Sequence, residues 1–234
     1  MTDPTMTDTA LSGVRACVFD AYGTLFDFNS AVMRCRDQVG DAAERLSEIW
    51  RTKQLQYTWL RSLMRRHDDF WQVTGDALDY ALAAVGIDDA ALRQRLMDMY
   101  RTLDTFPEVP AVLGQLKQAG MRTAILSNGA PSMLDAAVEA AGLDTLLDMV
   151  LSVEDVGVYK PDPRVYQLAV DRLGVAPQDI CFMSSNAWDA VGAASFGFRV
   201  AWINRYGQPY ERLPARHDVE LADLTPLPGL VGAG

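Results

Sequence analysis

Five short runs, ACVF (16–19), TAIL (123–126), MVLSV (149–153), ICFM (180–183) and VAWI (200–203), are almost wholly apolar and carry no charge. A strand exposed on one face alternates apolar with polar residues, so unbroken runs of this length predict parallel strands covered on both faces. Between them apolar residues recur at helical spacing. Val109, Val112, Leu113 and Leu116 precede Gly120; Leu134, Ala137, Val138 and Ala141 precede Gly142; Val165, Leu168, Ala169 and Leu173 precede Gly174. Each group predicts an amphipathic helix with a glycine stop. The alternation predicts an α/β fold, an open parallel sheet with right-handed crossovers, whose strand C-terminal ends share one edge.

Residues 29–106 break this pattern: they hold no convincing strand run, and sets such as Leu46, Ile49, Trp50 and Leu92, Leu96, Met99, Tyr100, Leu103 read as amphipathic helices. They predict a helical cap subdomain inserted after the first strand, with a core of 14–28 and 107–228 and loosely ordered ends at 1–13 and 229–234. Trp50, Trp59, Trp71 and Leu60 read as cap packing or a subunit contact. Without a run of about 18 apolar residues no membrane span is expected. The start MTDPTMTDTA has neither the basic region nor the apolar core of a signal peptide, so the expected location is cytoplasmic.

Charge narrows the chemistry. With 31 acidic against 21 basic side chains the net charge is −10, which repels a nucleic-acid backbone. An anionic substrate would need locally focused cations, and Arg51 and Lys160 are the candidates. Cys17, Cys35 and Cys181 lack metal or redox spacing, and two histidines, His67 and His217, leave no material for a histidine metal site or a Ser/His/Asp triad.

Four polar clusters follow the predicted strands: Asp20 to Thr24, SNG (127–129), YKPDPRVY (159–166) and SSNAWD (184–189). Alone, each has an ordinary structural reading as a turn, a loop or a helix cap. In a parallel sheet, however, all four converge on one crevice. Their order resembles the haloacid dehalogenase superfamily, whose Rossmann-like core carries an aspartate nucleophile at the end of its first strand. Most members are magnesium-dependent phosphatases with a second aspartate two residues later, acting as general acid and base. Here that position is Tyr22, and SSNAWD offers a single carboxylate, Asp189, where several would suit a hard cation.

These departures, with FDAYGTLFD, WRTKQLQYTWLRSLM, ILSNG, VYKPDPRVY and SSNAWDAVGA, are similar to the metal-independent type II L-2-haloacid dehalogenases. Thr52, where a longer polar residue is expected, bears on pocket shape. The resemblance implies a homodimer without cofactor or metal that acts on a small 2-haloacid. Asp20 would be the nucleophile, held ionised by Lys160 and positioned by Thr24 and Ser184. Ser127 and the backbone amides of the turn at Ala21 and Tyr22 would bind the substrate carboxylate. Arg51, Asn128 and Trp188 would receive the halide, Leu55 and Phe70 would face the alkyl group, and Tyr166 would support Lys160. Asp189, aided by Asn186, would orient or deprotonate the hydrolytic water.

Two other functions stay open at this level: a magnesium-dependent phosphatase of the same fold, and a non-catalytic small-anion binding protein. Arg51 by itself reads as an exposed helix residue in a surface ion pair of little worth. Asp189 has a structural reading as a helix cap, which ranks behind the functional one.

Overall fold

The computed structural model describes residues 11–233. Its central strand, β1 (Ala16–Phe19), is buried at every position, as its unbroken apolar run requires. The chain then enters α1 (Ser30–Arg34), α2 (Arg36–Val39), α3 (Ala43–Met64), α4 (Phe70–Val85) and α5 (Ala90–Tyr100). It returns through α6 (Val109–Gln118) to β2 (Arg122–Ser127), α7 (Pro131–Ala140), β3 (Met149–Ser152), α8 (Pro163–Leu173), β4 (Ile180–Ser184), α9 (Ala187–Phe196), β5 (Arg199–Ile203), β6 (Val219–Leu221) and α10 (Leu227–Leu230).

The six strands form one sheet in the order β3-β2-β1-β4-β5-β6, parallel throughout. Parallel neighbours need crossovers, and the helices that alternate with the strands supply them. Phe19 pairs with Ile125 on one side and Met183 on the other, and the Asp20 amide continues the ladder to the Met183 carbonyl at 2.8 Å. Asp20 therefore stands level with Ser184 at the sheet's C-terminal edge. The helices between β1 and β2 leave and rejoin the sheet through two adjacent segments: Asp27 N–H donates to the Asp104 carbonyl at 2.8 Å, and Phe106 N–H to the Leu25 carbonyl at 3.1 Å.

All five apolar runs became strands, with Val153 falling in a 3₁₀ turn after β3. Two features differ from expectation. β6 was not foreseen, because three residues alternating buried Val219, exposed Glu220 and buried Leu221 are too short a pattern to register. The tail is not a loose end: Leu224, Leu227 and Val231 are buried, and Leu11 near the other terminus is too. Positions 1–10 and 234 of the expected loose ends lie outside the described residues. Among the described residues no helix is long and apolar enough to cross a membrane.

Candidate active site

The turn after β1 is built around Gly23, whose φ of +93° is a conformation that side-chain-bearing residues avoid. The amides of Thr24, Leu25 and Phe26 fold back on the Ala21 carbonyl. Among the described residues, those of Ala21 and Tyr22 show no bond to another turn or loop backbone group. Arg205, unassigned from the sequence, braces this turn from behind: it donates to the Thr24 carbonyl at 2.8 Å and pairs with Glu108 at 2.6 Å.

Asp20 is 6% exposed, and its two oxygens have different surroundings. Oδ1 accepts from Lys160 Nζ at 3.0 Å. Oδ2 accepts from Asn186 Nδ2 at 2.8 Å, with the hydroxyls of Thr24 and Ser184 at 3.4 and 3.5 Å. Ser185, also unforeseen, fixes Thr24 by donating its N–H to Thr24 Oγ1 at 2.9 Å.

Lys160 is 1% exposed and lies between two carboxylates, Asp20 and, at 2.8 Å, Asp189 Oδ2. Burial alone would lower its pKa, but the charges of Asp189 and Asp20 outweigh this and hold it above the usual lysine value. The cluster carries one cation against two buried carboxylates. Burial pushes the Asp189 carboxyl up to about 6; Lys160 opposes the rise and Asp20 adds to it. Asp189 Oδ1 accepts from the Tyr166 hydroxyl at 2.8 Å. Burial, then the neighbouring carboxylates, raise that phenol well above its ordinary value, so it stays a donor.

Ser127 accepts the Gly129 N–H at 3.0 Å, which leaves its own proton to donate. Asn128 Oδ1 accepts the Lys160 backbone N–H at 3.0 Å, so this side chain also anchors the lysine loop. Trp188 packs edge-on against Trp59 with centroids 5.3 Å apart, and its buried indole N–H has no partner. Phe70 is buried with its ring 5.8 Å from that of Tyr22, whereas Leu55 is half-buried on α3.

Arg51 comes from α3. It donates to Gln54 Oε1 at 2.8 Å, Asn186 Oδ1 at 3.0 Å and the Tyr22 carbonyl at 3.3 Å, with the Phe28 ring 4.9 Å away. Tyr22 itself stacks on Tyr100 at 5.5 Å. Its hydroxyl is buried without a partner, and burial raises its pKa, so it is a poor substitute for a catalytic carboxyl.

A magnesium site does not fit this arrangement. No group of three or more His, Cys, Asp or Glu side chains gathers among the described residues, and the Lys160 ammonium already fills the space between Asp20 and Asp189.

A family model for haloacid dehalogenase-like hydrolases matches residues 14–197. The chain is also 52% identical over 221 residues to (S)-2-haloacid dehalogenase 4A of Burkholderia cepacia, spanning 93% of this chain and 96% of that one. This chain belongs to the haloacid dehalogenase-like hydrolases, among the L-2-haloacid dehalogenases. A crystal structure of a dehalogenase superposes on it with a TM-score of 0.92 at 51% identity, covering 93% of this chain and 97% of the other. The L-2-haloacid dehalogenase of Xanthobacter autotrophicus, solved with chloropropionic acid covalently bound, gives 0.87 at 37% identity, covering 93% and 98%.

For this haloacid dehalogenase-like chain, the residues missed from the sequence are those that act through others. Gln54 bonds Arg51 and Tyr100 stacks on Tyr22, while Thr74 and Tyr100 hold Gln54 from inside the helical insertion. The available signal was a glutamine on the buried stripe of α3, three residues after Arg51.

Proposed function

We propose that this enzyme hydrolyses short L-2-haloacids to D-2-hydroxy acids and halide, with Asp20 as nucleophile and no metal. One observation carries the reading: a buried carboxylate at the sheet edge is held by an ammonium on one oxygen and by neutral donors on the other.

Two anions approach each other only where donors and cations are already in place. Ser127 and the Ala21 and Tyr22 amides hold the substrate carboxylate. Asp20 Oδ1, with one partner, attacks carbon two from behind; the carbon–halogen bond breaks and its electron pair leaves with the halide onto Arg51. The configuration inverts and an aspartyl ester remains, so one hard step becomes two easier ones.

Water then attacks the ester carbonyl carbon of Asp20, with Asp189 accepting its proton. The charge that develops on Oδ2 meets Asn186, Thr24 and Ser184; as the bond from Cγ to the ester oxygen breaks, Lys160 stabilises the leaving oxygen, which takes up the second proton of the attacking water, so that Asp20 is restored as a carboxylate and the hydroxy acid leaves. Tyr166 orients Asp189. Phe70, Leu55 and Trp188 form the apolar wall that keeps out other water.

In this reading residues 14–28 and 107–228 are the catalytic core and 29–106 the cap, separated at the paired segments around Asp27 and Phe106. The enzyme acts as a homodimer: Leu60, Leu63 and Met64 are 50%, 81% and 61% exposed at one end of α3, a surface suited to a second copy. Three buried free cysteines suit the reducing cytoplasm. Analytical ultracentrifugation of the wild type and of Leu63→Glu tests the dimer, which the charge should split.

The central test is halide release from the separate enantiomers of 2-chloropropionate in EDTA. Release from the L form alone, lost in Asp20→Asn, is expected. Release that survives Asp20→Asn, or that requires magnesium, would remove Asp20 or the metal-free scheme.

A further inference from the structure

Arg51 is held by neutral groups alone, and one of them is buried without an evident reason. Gln54 is 1% exposed, in the interior of the helical insertion, where an unpaired amide is costly. Its hydrogen bonds explain its presence, and they have a direction.

The direction starts at helix α4. The Thr74 hydroxyl donates to the Phe70 carbonyl at 2.6 Å, one helical turn back, which commits its only proton. Towards Gln54, 2.7 Å away, Thr74 can then only accept, so Gln54 presents Nε2 to it. The amide is thereby fixed with Oε1 towards Arg51 Nη1, a donor-only group, at 2.8 Å. The Tyr100 hydroxyl, 3.1 and 3.2 Å from the two ends of the amide, seals it from the side.

The same logic continues beyond Arg51. Its Nη2 can only donate, so Asn186 turns Oδ1 to it, which sends Asn186 Nδ2 to Asp20 Oδ2 at 2.8 Å. Five links therefore join the Phe70 carbonyl through Thr74, Gln54, Arg51 and Asn186 to Asp20, with every donor pointing away from Arg51, three links towards Phe70 and two towards Asp20. Each group has one orientation that satisfies both neighbours.

We propose that Gln54 is the positioning residue that sets the Arg51 guanidinium for the departing halide, as the middle link of a hydrogen-bond relay from α4 to the nucleophile. The inference rests on the dehalogenase reading, in which Arg51 receives the halide. A neutral acceptor suits the task, because it orients the guanidinium without neutralising it, whereas a carboxylate in its place would take the charge meant for the halide. Because Phe70 provides both the first link and part of the substrate wall, a displaced α4 would reach Arg51 through Thr74 and Gln54.

The experiment measures halide release in a single turnover from L-2-bromopropionate and L-2-chloropropionate, with chloride inhibition, for wild type, Gln54→Leu, Gln54→Glu and Thr74→Val. Misplacing a reacting group costs up to about 10²-fold. Gln54→Leu should lose up to this factor on the chloride and clearly less on the bromide, the better leaving group, with substrate affinity little changed and chloride inhibition weakened. Gln54→Glu, which keeps the side-chain shape should the leucine variant fold poorly, should show the same halide discrimination through charge. Thr74→Val should show a smaller version of it.

Equal losses on both halides, or a loss confined to melting temperature or substrate affinity, would make Gln54 a packing residue and overturn the relay. If the wild type releases neither halide, the dehalogenase reading fails first and the relay falls with it.

Discussion

Lys160 and Arg51 are the two cations of the site, one from each side of it, and they are held in opposite ways. Lys160 is sealed from water between two carboxylates at 3.0 and 2.8 Å. Arg51 is half-buried and touches an amide oxygen on each of Gln54 and Asn186, a backbone carbonyl and an aromatic face. A cation between two carboxylates has no net charge left to offer a newcomer. One surrounded by neutral acceptors is oriented and keeps its whole charge. In the mechanism proposed above this difference is a division of labour: Lys160 holds one oxygen of Asp20 in place, and Arg51 is left to receive the departing halide.

The sharpest way to break this contrast is to remove each cation. Lys160→Met leaves two buried carboxylates with no counter-charge, which costs about 3–5 kcal/mol of stability when one partner of a buried pair is lost. Its melting temperature should fall together with its activity. Arg51→Met leaves only neutral partners behind, so its melting temperature should stay near that of the wild type. Its kcat should still drop about 10²–10³-fold, the usual cost of losing one donor to a developing anion. Calorimetry with halide assays on both variants decides it, and equal melting shifts for the two would dissolve the distinction.

A smaller effect sharpens the Lys160 side. Because burial raises Asp189 to about 6, it is a neutral acid below that pH and an available base above it. Ester hydrolysis should therefore slow about tenfold per pH unit below about 6, and the ester should accumulate on Asp20, visible by mass spectrometry. Stability moves the other way. A carboxyl with a raised folded-state pKa binds its proton more tightly in the fold, so its contribution declines as pH rises from the ordinary carboxylate range to about 6. The acidic loss of rate should thus appear without a matching loss of melting temperature from this group. Asp189→Asn should trap the ester at every pH, whereas an acid limb that persists in this variant would move the base elsewhere.

The two sides also differ in how much of them could be read from the chain. Part of the Asp20 side was legible because three of its members end unbroken apolar runs: Asp20 after ACVF, Ser127 closing TAILS, Ser184 after ICFM. Parallel pairing alone then brings them to one edge. The insertion side has no such rule. Which residues of α3, α4 and α5 meet depends on how the helices cross, so Tyr100 read only as a member of a helical stripe, and nothing marked out Gln54 or Thr74. Asn128 was placed at the correct edge, but its bond to the Lys160 backbone was not foreseen, since a strand end fixes a side chain's neighbourhood and not its hydrogen-bond partner. β6 and the packed tail escaped because short, mixed segments gain their order from the surface they cover.

The smallest expected effect concerns how rigidly the carboxylate side is packed. A Cβ on Gly192 of α9 would lie 2.4 Å from the Tyr166 hydroxyl and 2.7 Å from Pro161 Cβ. Glycine is needed here for space: it lets the tyrosine reach Asp189, while Pro161 follows Lys160 in the chain. Gly192→Ala should therefore push Tyr166 off Asp189 and cost about 1–3 kcal/mol, the usual price of overpacking. Only a few-fold loss of kcat is expected, because Lys160 still holds Asp189 from its other oxygen. Tyr166→Phe removes the closest clashing atom at the cost of the hydrogen bond. If the clash is the cause, the double variant should be more stable than the sum of the two single losses predicts, a coupling that neighbours sharing one contact produce. Simple additivity would mean that Pro161 bears the strain, and that the lysine loop rather than the tyrosine is the rigid element.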